Sequence, residues 1–495
     1  MASVPHLIEL MRAARYPEAL RTWESFGKMR NRHPTLLEVG AALHEQLDRP
    51  AEAARLWRTL AEQLPNDPRP VGALAAALDK AGRADQATDA LVRFSAAHRG
   101  VDPTLDRVAA ARSTQRAVAL EAARDLAGAR SAALAALECD PSAARAERVL
   151  VRLDHQEGAL QDAKTRALAL APRLPPAERA GLLLELAVIA QRLGEVELAW
   201  TSAADGNALA LAAAPGIDLG AYPALVQRVR AWRGAPLEPV EGPGPVWMVG
   251  FPRSGTTLTQ QILEAHPRVC TLDELDPAMT VLRNHLRGKP ASYPACLDAL
   301  QSADWAAMRE AYGREIAALG LPEHDVLVDK LPLNLVRLDF LTRLFPGSKV
   351  LMSLRDPRDC VLSNLFQDYA LNGAMAQFTS LDATVALYAS VMGLWTERRT
   401  SLPVPWLELR YEDLTADPEG RARELLRFLG VEWDAAVLAH HEQARTRVIT
   451  TPSRYEVSRP VHRRAVGRWR AFRHHLEPVL PALAPFAEAF GYEPD

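Results

Sequence analysis

The stretch VWMVGFPRSGTTLTQQILEAHP, residues 246–267, restricts what its half of the chain can fold into more than any other segment. An apolar run, Val246 to Val249, breaks at Gly250 into a turn of small residues. A segment without Gly or Pro follows from Thr256 to Ala265, with Leu258, Ile262 and Leu263 at helical spacing. A strand that enters a helix through such a turn aims backbone N–H groups and a helix N-terminus at one point, and that point binds an oxyanion. The nucleoside-triphosphate form of this loop reads G-x-x-x-x-G-K-[ST]. Here Gly250, Gly255 and Thr257 keep the spacing, Thr256 stands in the lysine's place, and a cation, Arg253, lies inside the loop. The cradle is present without the residue that grips β- and γ-phosphates. A single 5′-phosphate is the better-matched ligand, and a P-loop kinase or NTPase is the weaker reading.

Around this loop, short apolar or β-branched runs alternate with helical stretches: Val246–Val249, Val326–Val328, Val350–Leu354 and Trp406–Leu409. That alternation predicts a parallel α/β sheet, whose ligands sit at the carboxyl ends of the strands. The candidate residues fall there: Arg253 after the first run, Lys330 after the second, Arg355 after the third. Arg355 and Ser363 are eight residues apart with Asp356-Pro357 opening a helix between them, so they can converge on one phosphate, the guanidinium supplying charge and the serine a hydroxyl. No apolar run ends in an obvious magnesium-binding aspartate.

Residues 1–235 have a different texture, rich in Ala, Leu, Arg and Glu. Ala19, Ala53 and Ala87 lie 34 residues apart, and after one irregular interval the phase resumes at Ala129, Ala163 and Ala199. Pro34, Pro68, Pro103, Pro141 and Pro175 punctuate the same period, and Gly82, Gly158 and Gly194 each stand five residues before a marker alanine, where a helix-to-helix turn is needed. This resembles the tetratricopeptide repeat, an antiparallel helix pair with a small residue at its close crossing. The resemblance implies a superhelix whose groove binds a protein or peptide partner or mediates self-association. Residues 100–125 read as a degenerate unit, and the Pro- and Gly-rich stretch 236–244 as a linker. At 495 residues a multidomain chain is the natural expectation.

The formal net charge of −3 gives no reason to expect nucleic-acid binding. Cys139, Cys270, Cys296 and Cys360 are widely spaced, which suggests neither a disulfide framework nor a zinc site and fits a reducing compartment. The N-terminal segment carries charges at Glu9, Arg12 and Arg15 and reads as neither a signal peptide nor a membrane anchor, so a cytoplasmic location is expected.

PRSGTTL, then R-D-P-R-D-x-x-x-S from Arg355, then RYEDL (Arg410–Leu414) with FLG (Phe428–Gly430) resemble the sulfotransferase family over residues 245–495. With helical repeats ahead of it, the arrangement is similar to the bacterial tetratricopeptide-repeat sulfotransferases. HPRVCTLDE (His266–Glu274), the DK before LPLN and TPSRYEVSRPV (Thr451–Val461) are similar to tyrosylprotein sulfotransferases. The resemblance implies a donor, 3′-phosphoadenosine 5′-phosphosulfate, used without a metal. It implies that Arg253, Ser254, Gly255, Thr256, Thr257 and Leu258 bind the 5′-phosphosulfate. Arg355 and Ser363 then bind the 3′-phosphate, and Ser453 and Arg459 close over the nucleotide.

In-line transfer to a hydroxyl needs positioning and neutralisation of charge on the sulfuryl and leaving oxygens. Arg253 and Lys330 fit the cationic role, and Glu274, matching the catalytic glutamate of the tyrosylprotein enzymes, is the expected base. Those enzymes read GEETR where this chain reads LDELD, so Asp276 replaces an arginine that helps hold a peptide. A peptide, a glycan and a small hydroxyl compound all remain open as acceptors. Asp273 is the nearer rival base. Adjacent to Glu274 on a strand-like segment, it would point the opposite way, so that only one of the two reaches the acceptor. His266 reads as a packing residue, His285 as exposed, and Trp406, Phe428 and Trp433 as core. A repeat scaffold with a silent transferase domain is the alternative from another class.

Overall fold

The computed structural model describes residues 3–234, 243–287, 292–439 and 463–493, and the chain divides into two compact units, Met1–Leu174 and Pro175–Asp495. Antiparallel helix pairs fill the first: α1 (Val4–Arg12) with α2 (Tyr16–Glu24), α3 (Pro34–Gln46) with α4 (Pro50–Gln63), α5 (Pro68–Lys80) with α6 (Ala84–His98), α7 (Pro103–Ala122) with α8 (Leu126–Cys139), and α9 (Ala144–Glu157) with α10 (Leu160–Leu170). A further pair, α11 (Pro176–Leu193) and α12 (Val196–Ala212), and the helix α13 (Ala221–Ala231) open the second unit.

All six marker alanines lie in the second helix of a pair, and every one is 0% exposed. Full burial at a helix crossing favours a small side chain, which is why the period shows in alanine. Five residues before each marker the backbone turns left-handed: Ala14, Asp48, Gly82, Arg124, Gly158 and Gly194, with φ between 53° and 87°. Glycine holds only three of these positions, so the sequence displays half of a turn that all six pairs share. The interval that breaks the period, expected to be a degenerate unit, is instead one continuous 20-residue helix, α7.

The second unit is built on a five-stranded sheet, β1 (Val246–Gly250), β2 (Val269–Asp273), β3 (Val326–Lys330), β4 (Lys349–Leu354) and β5 (Trp406–Arg410), in the order β2-β3-β1-β4-β5 with every pairing parallel. Both faces of β1 are buried, as a parallel sheet covered by helices requires. Val246 and Met248 join Leu258, Ile262 and Leu263 of α14 (Thr256–Glu264) in one apolar layer. Trp247 and Val249 face the opposite layer. Around the sheet run α15 (Pro277–His285), α16 (Ser302–Ala318), α17 (Leu338–Leu344), α18 (Pro357–Leu365), α19 (Leu381–Arg398), α20 (Tyr411–Ala416), α21 (Pro418–Leu429), α22 (Arg473–Leu476) and α23 (Leu480–Ala489). The chain leaves β1 for β2 on one side and later returns to β4 on the other, so its direction reverses about β1, where open α/β sheets place ligands.

The stretch 236–244 separates two sequence textures, whereas the compact units divide earlier, between Leu174 and Pro175. Helices α11–α13 supply Ala187, Ala203, Val226 and Val229 to the same core as Trp247 and Val350. Asn207 Nδ2 also donates to the Leu365 carbonyl at 2.8 Å, and Arg398 donates to the Val229 carbonyl. Two packing expectations are corrected. Trp406 is 37% exposed on β5, edge-on to Trp395, and is not core. His285 is half-buried and paired with Asp304 at 2.8 Å, so it is not a free surface histidine.

Candidate functional site

The loop after β1 is held in a shape that few side chains tolerate. Arg253 has φ 70° and Gly255 φ 100°. A Cβ at Gly250 would lie 2.6 Å from Ser254 Oγ and 2.7 Å from the Ser353 carbonyl oxygen, and one at Gly255 would lie 2.7 Å from the Tyr411 ring. Ser254 Oγ and Ser353 Oγ are buried hydroxyls with no hydrogen-bond partner among the described residues. Buried hydroxyls normally have partners, and two of them beside the N-terminus of α14 suit the oxygens of a phosphate or sulfate group. Thr256, Thr257 and Leu258 form the first turn of that helix and are buried.

Arg253, Arg355 and Ser363 interlock. Arg253 Nε donates to Ser363 Oγ at 3.1 Å. Arg355 follows β4, is 5% exposed, and donates from Nη1 to the Arg253 carbonyl at 3.2 Å and from Nη2 to the Ala465 carbonyl at 2.5 Å. Ser363 therefore meets the loop arginine directly, with Arg355 bracing that arginine's backbone. Helix α18 adds Asn364, whose Nδ2 donates to the Pro252 carbonyl at 2.9 Å while Tyr369 donates to its Oδ1 at 2.7 Å.

Three further residues support the loop: Asp359, which the sequence offers as a partner for Arg355, and Tyr411 and Glu412, to which it assigns no role. Asp359 accepts from the Gly467 and Trp469 N–H groups at 2.6 and 2.8 Å and lies 3.9 Å from Arg355. Burial pushes its carboxyl up, and the Arg355 charge opposes that shift. Tyr411, the tyrosine of RYEDL, packs on Gly255 with Arg355 over its ring at 5.1 Å. Glu412 accepts from the Asp356 N–H at 3.1 Å and from the Tyr492 hydroxyl at 2.8 Å, and burial raises its carboxyl. Each is an ordinary polar residue until the fold brings it behind the loop. The available signals are the RYEDL motif, which holds Tyr411 and Glu412, and the aspartate spacing in RDPRD, which places Asp356 as the N-cap of α18 and Asp359 in its first turn.

On the other side of β1, Lys330 ends β3 with 0% exposure, and its Nζ donates to Asp273 Oδ1 at 2.7 Å and to Glu274 Oε1 at 2.9 Å. The expectation that neighbouring carboxylates point apart is corrected. Strand β2 ends at Asp273, Glu274 turns to φ 56°, and both carboxylates meet one lysine. The Glu274 N–H donates to the Lys330 carbonyl at 3.0 Å, which fixes the turn. Asp276 pairs with Arg337 at 2.8 Å.

His266 is a packing residue: its Nε2 meets the Glu432 carbonyl at 2.9 Å and its Nδ1 accepts from the Arg268 N–H. Ser453 and Arg459 lie outside the described residues. Glu197, His474 and His475 bring three metal-ligating atoms within 4.8 Å of one another, but none belongs to the strand-end loops. No helix among the described residues is long and apolar enough to cross a membrane.

A family model described as "Sulfotransferase family" matches residues 245–435. Protein-tyrosine sulfotransferase 2 of Gallus gallus is 30% identical over 268 residues, which cover 50% of this chain and 69% of that protein. The corresponding protein 1 of Homo sapiens is 26% identical, covering 50% and 70%. An uncharacterized protein of Aquifex aeolicus is 28% identical over 53% of this chain, and the chain spans 34% of its length. The sulfotransferase domain of the Synechococcus PCC 7002 olefin synthase is similar with 21% identity and a TM-score of 0.37, covering 52% of this chain and 99% of that one.

Proposed function

Because this chain belongs through its C-terminal half to the sulfotransferase family, we propose that it moves a sulfuryl group from 3′-phosphoadenosine 5′-phosphosulfate to an acceptor hydroxyl. The observation that carries this reading is the pairing of two strand-end assemblies beside β1. One is the anion loop, with Arg253 reaching Ser363 and braced by Arg355. The other is Lys330 joined to Glu274 and Asp273.

In this reading the loop, from Ser254 through Leu258, binds the 5′-phosphosulfate, and Arg355 with Ser363 holds the 3′-phosphate. Glu274 takes the acceptor proton as the acceptor oxygen attacks sulfur. Its carboxylate is 44% exposed on the side chain, open to an incoming hydroxyl. Arg253 and Lys330 neutralise charge that builds on the sulfuryl and bridging oxygens, a term that is strongest in a site withdrawn from water. Ser453 and Arg459 are assigned to the nucleotide on sequence similarity alone.

The helix pairs with their 34-residue alanine period support a tetratricopeptide-like reading, in which a groove recruits the acceptor or a protein partner. Four buried thiols agree with a reducing, cytoplasmic setting. The relatives' names make a tyrosyl peptide the first acceptor to try, with glycans and small phenols beside it. Calorimetry with 3′-phosphoadenosine 5′-phosphate tests the nucleotide assignment. Saturable binding in the absence of magnesium is expected, and no binding at high micromolar concentration would sink it.

A further inference from the structure

Lys330 has two anionic partners where one would satisfy it, and only one of them suits the role of a base. Asp273 and Lys330 are register partners on β2 and β3, so the 2.7 Å contact joins two ends of hydrogen-bonded strands. Glu274 sits one residue further on, in a left-handed turn, and its side chain is more exposed than that of Asp273, 44% against 30%. The lysine itself is fully buried.

We infer that Asp273 is a positioning residue that keeps Lys330 in place while Glu274 leaves it to act as the base; this rests on the sulfotransferase reading above. In the transfer step the acceptor oxygen forms a bond to sulfur and its proton passes to the Glu274 carboxylate. The bond between sulfur and the bridging oxygen breaks, and the departing phosphate keeps the electron pair. Glu274, neutral after that step, no longer balances the lysine. A buried cation that loses its counterion is strongly disfavoured. Asp273, fixed by strand pairing and less exposed than Glu274, remains as the anion and holds Nζ toward the developing charge. The departure from alternation at Glu274 is what makes the exchange possible, since it brings two carboxylates of unequal freedom to one ammonium.

The test compares full-length wild type, Asp273→Asn and Asp273→Glu with radiolabelled donor. The acceptor is whichever of a tyrosyl peptide, a chitin oligomer and 4-nitrophenol takes label from the wild type. Asp273→Asn should lower kcat by ten- to a hundredfold, with KM for the acceptor and the affinity for 3′-phosphoadenosine 5′-phosphate within twofold of wild type. Asp273→Glu should recover most of that loss. Undiminished kcat in Asp273→Asn overturns the inference. So does a parallel fall in nucleotide affinity and thermal stability that Asp273→Glu does not repair, since that is the pattern of a merely structural residue. A wild type that neither binds the nucleotide nor labels any acceptor counts instead against the sulfotransferase reading itself.

Discussion

Asp329 precedes Lys330 on β3 but faces the other side of the sheet, where it is 1% exposed. Tyr312 donates to its Oδ2 at 3.0 Å, and Oδ1 has no hydrogen-bond partner among the described residues. Burial, helped by the charge of Asp276, pushes the carboxyl from 3.8 to about 7 against the opposing pull of the Tyr312 hydrogen bond. The folded protein therefore holds a proton that the unfolded chain releases above about pH 4. With the folded pKa above the unfolded one, this group's contribution is most favourable below about pH 4 and is lost as pH rises towards 7. Roughly three pKa units at about 1.4 kcal/mol each make the penalty about 4 kcal/mol in the alkaline limit. Asp329→Asn keeps an acceptor for Tyr312 and removes the titration. The stability of the variant relative to wild type should therefore improve by about 2–3 kcal/mol between pH 5 and pH 8. Urea unfolding followed by tryptophan fluorescence at several pH values measures that slope. Any fixed cost of placing an amide there shifts both ends alike and leaves the slope intact. A difference that stays flat from pH 5 to pH 8 refutes the argument, as it means that Asp329 is ionised in the fold at the lower pH.

Arg124→Gly should stabilise the helical unit by about 0.5–1 kcal/mol, because a left-handed arginine costs about 1–2 kcal/mol and glycine gives part of that back as chain entropy. Gly158→Ala at the equivalent turn should destabilise it by about 1 kcal/mol, and thermal unfolding of the pair checks both signs. Gly250→Ala places a methyl against Ser254 Oγ and the Ser353 carbonyl, and calorimetry should show at least a tenfold loss of nucleotide affinity, about 1.4 kcal/mol. Arg355→Ala should cost about 1.5–3 kcal/mol of that affinity, the range for charged hydrogen bonds, and an unchanged value removes Arg355 from the site.

Much of this architecture is legible in the sequence because it follows from short-range rules. Four of the five strands contain the short apolar or β-branched runs read from the sequence, and three of those runs lead to Arg253, Lys330 and Arg355. Strand β2 is the one that the apolar runs do not reveal: the cysteine, threonine and aspartate of VCTLD dilute its apolar signal. The same short strand hides how Asp273 and Glu274 come together, since a single left-handed residue cancels the alternation that sequence reasoning relies on. The tertiary contacts of Asp359, Tyr411 and Glu412 join residues 56 to 156 positions apart, so short-range rules do not bring those partners together. The packing of α11–α13 with the sheet is equally non-local. Their texture is that of the repeats, but their buried faces belong to the core around Trp247.

The most direct test of the account is sulfuryl transfer itself, followed with radiolabelled 3′-phosphoadenosine 5′-phosphosulfate in wild type and Glu274→Gln, against the same peptide, glycan and phenol acceptors. The account predicts label on at least one acceptor with wild type. It predicts a loss of turnover of about two to four powers of ten in Glu274→Gln, with nucleotide binding retained. Full turnover in Glu274→Gln, or no transfer by a wild type that binds no nucleotide, contradicts it.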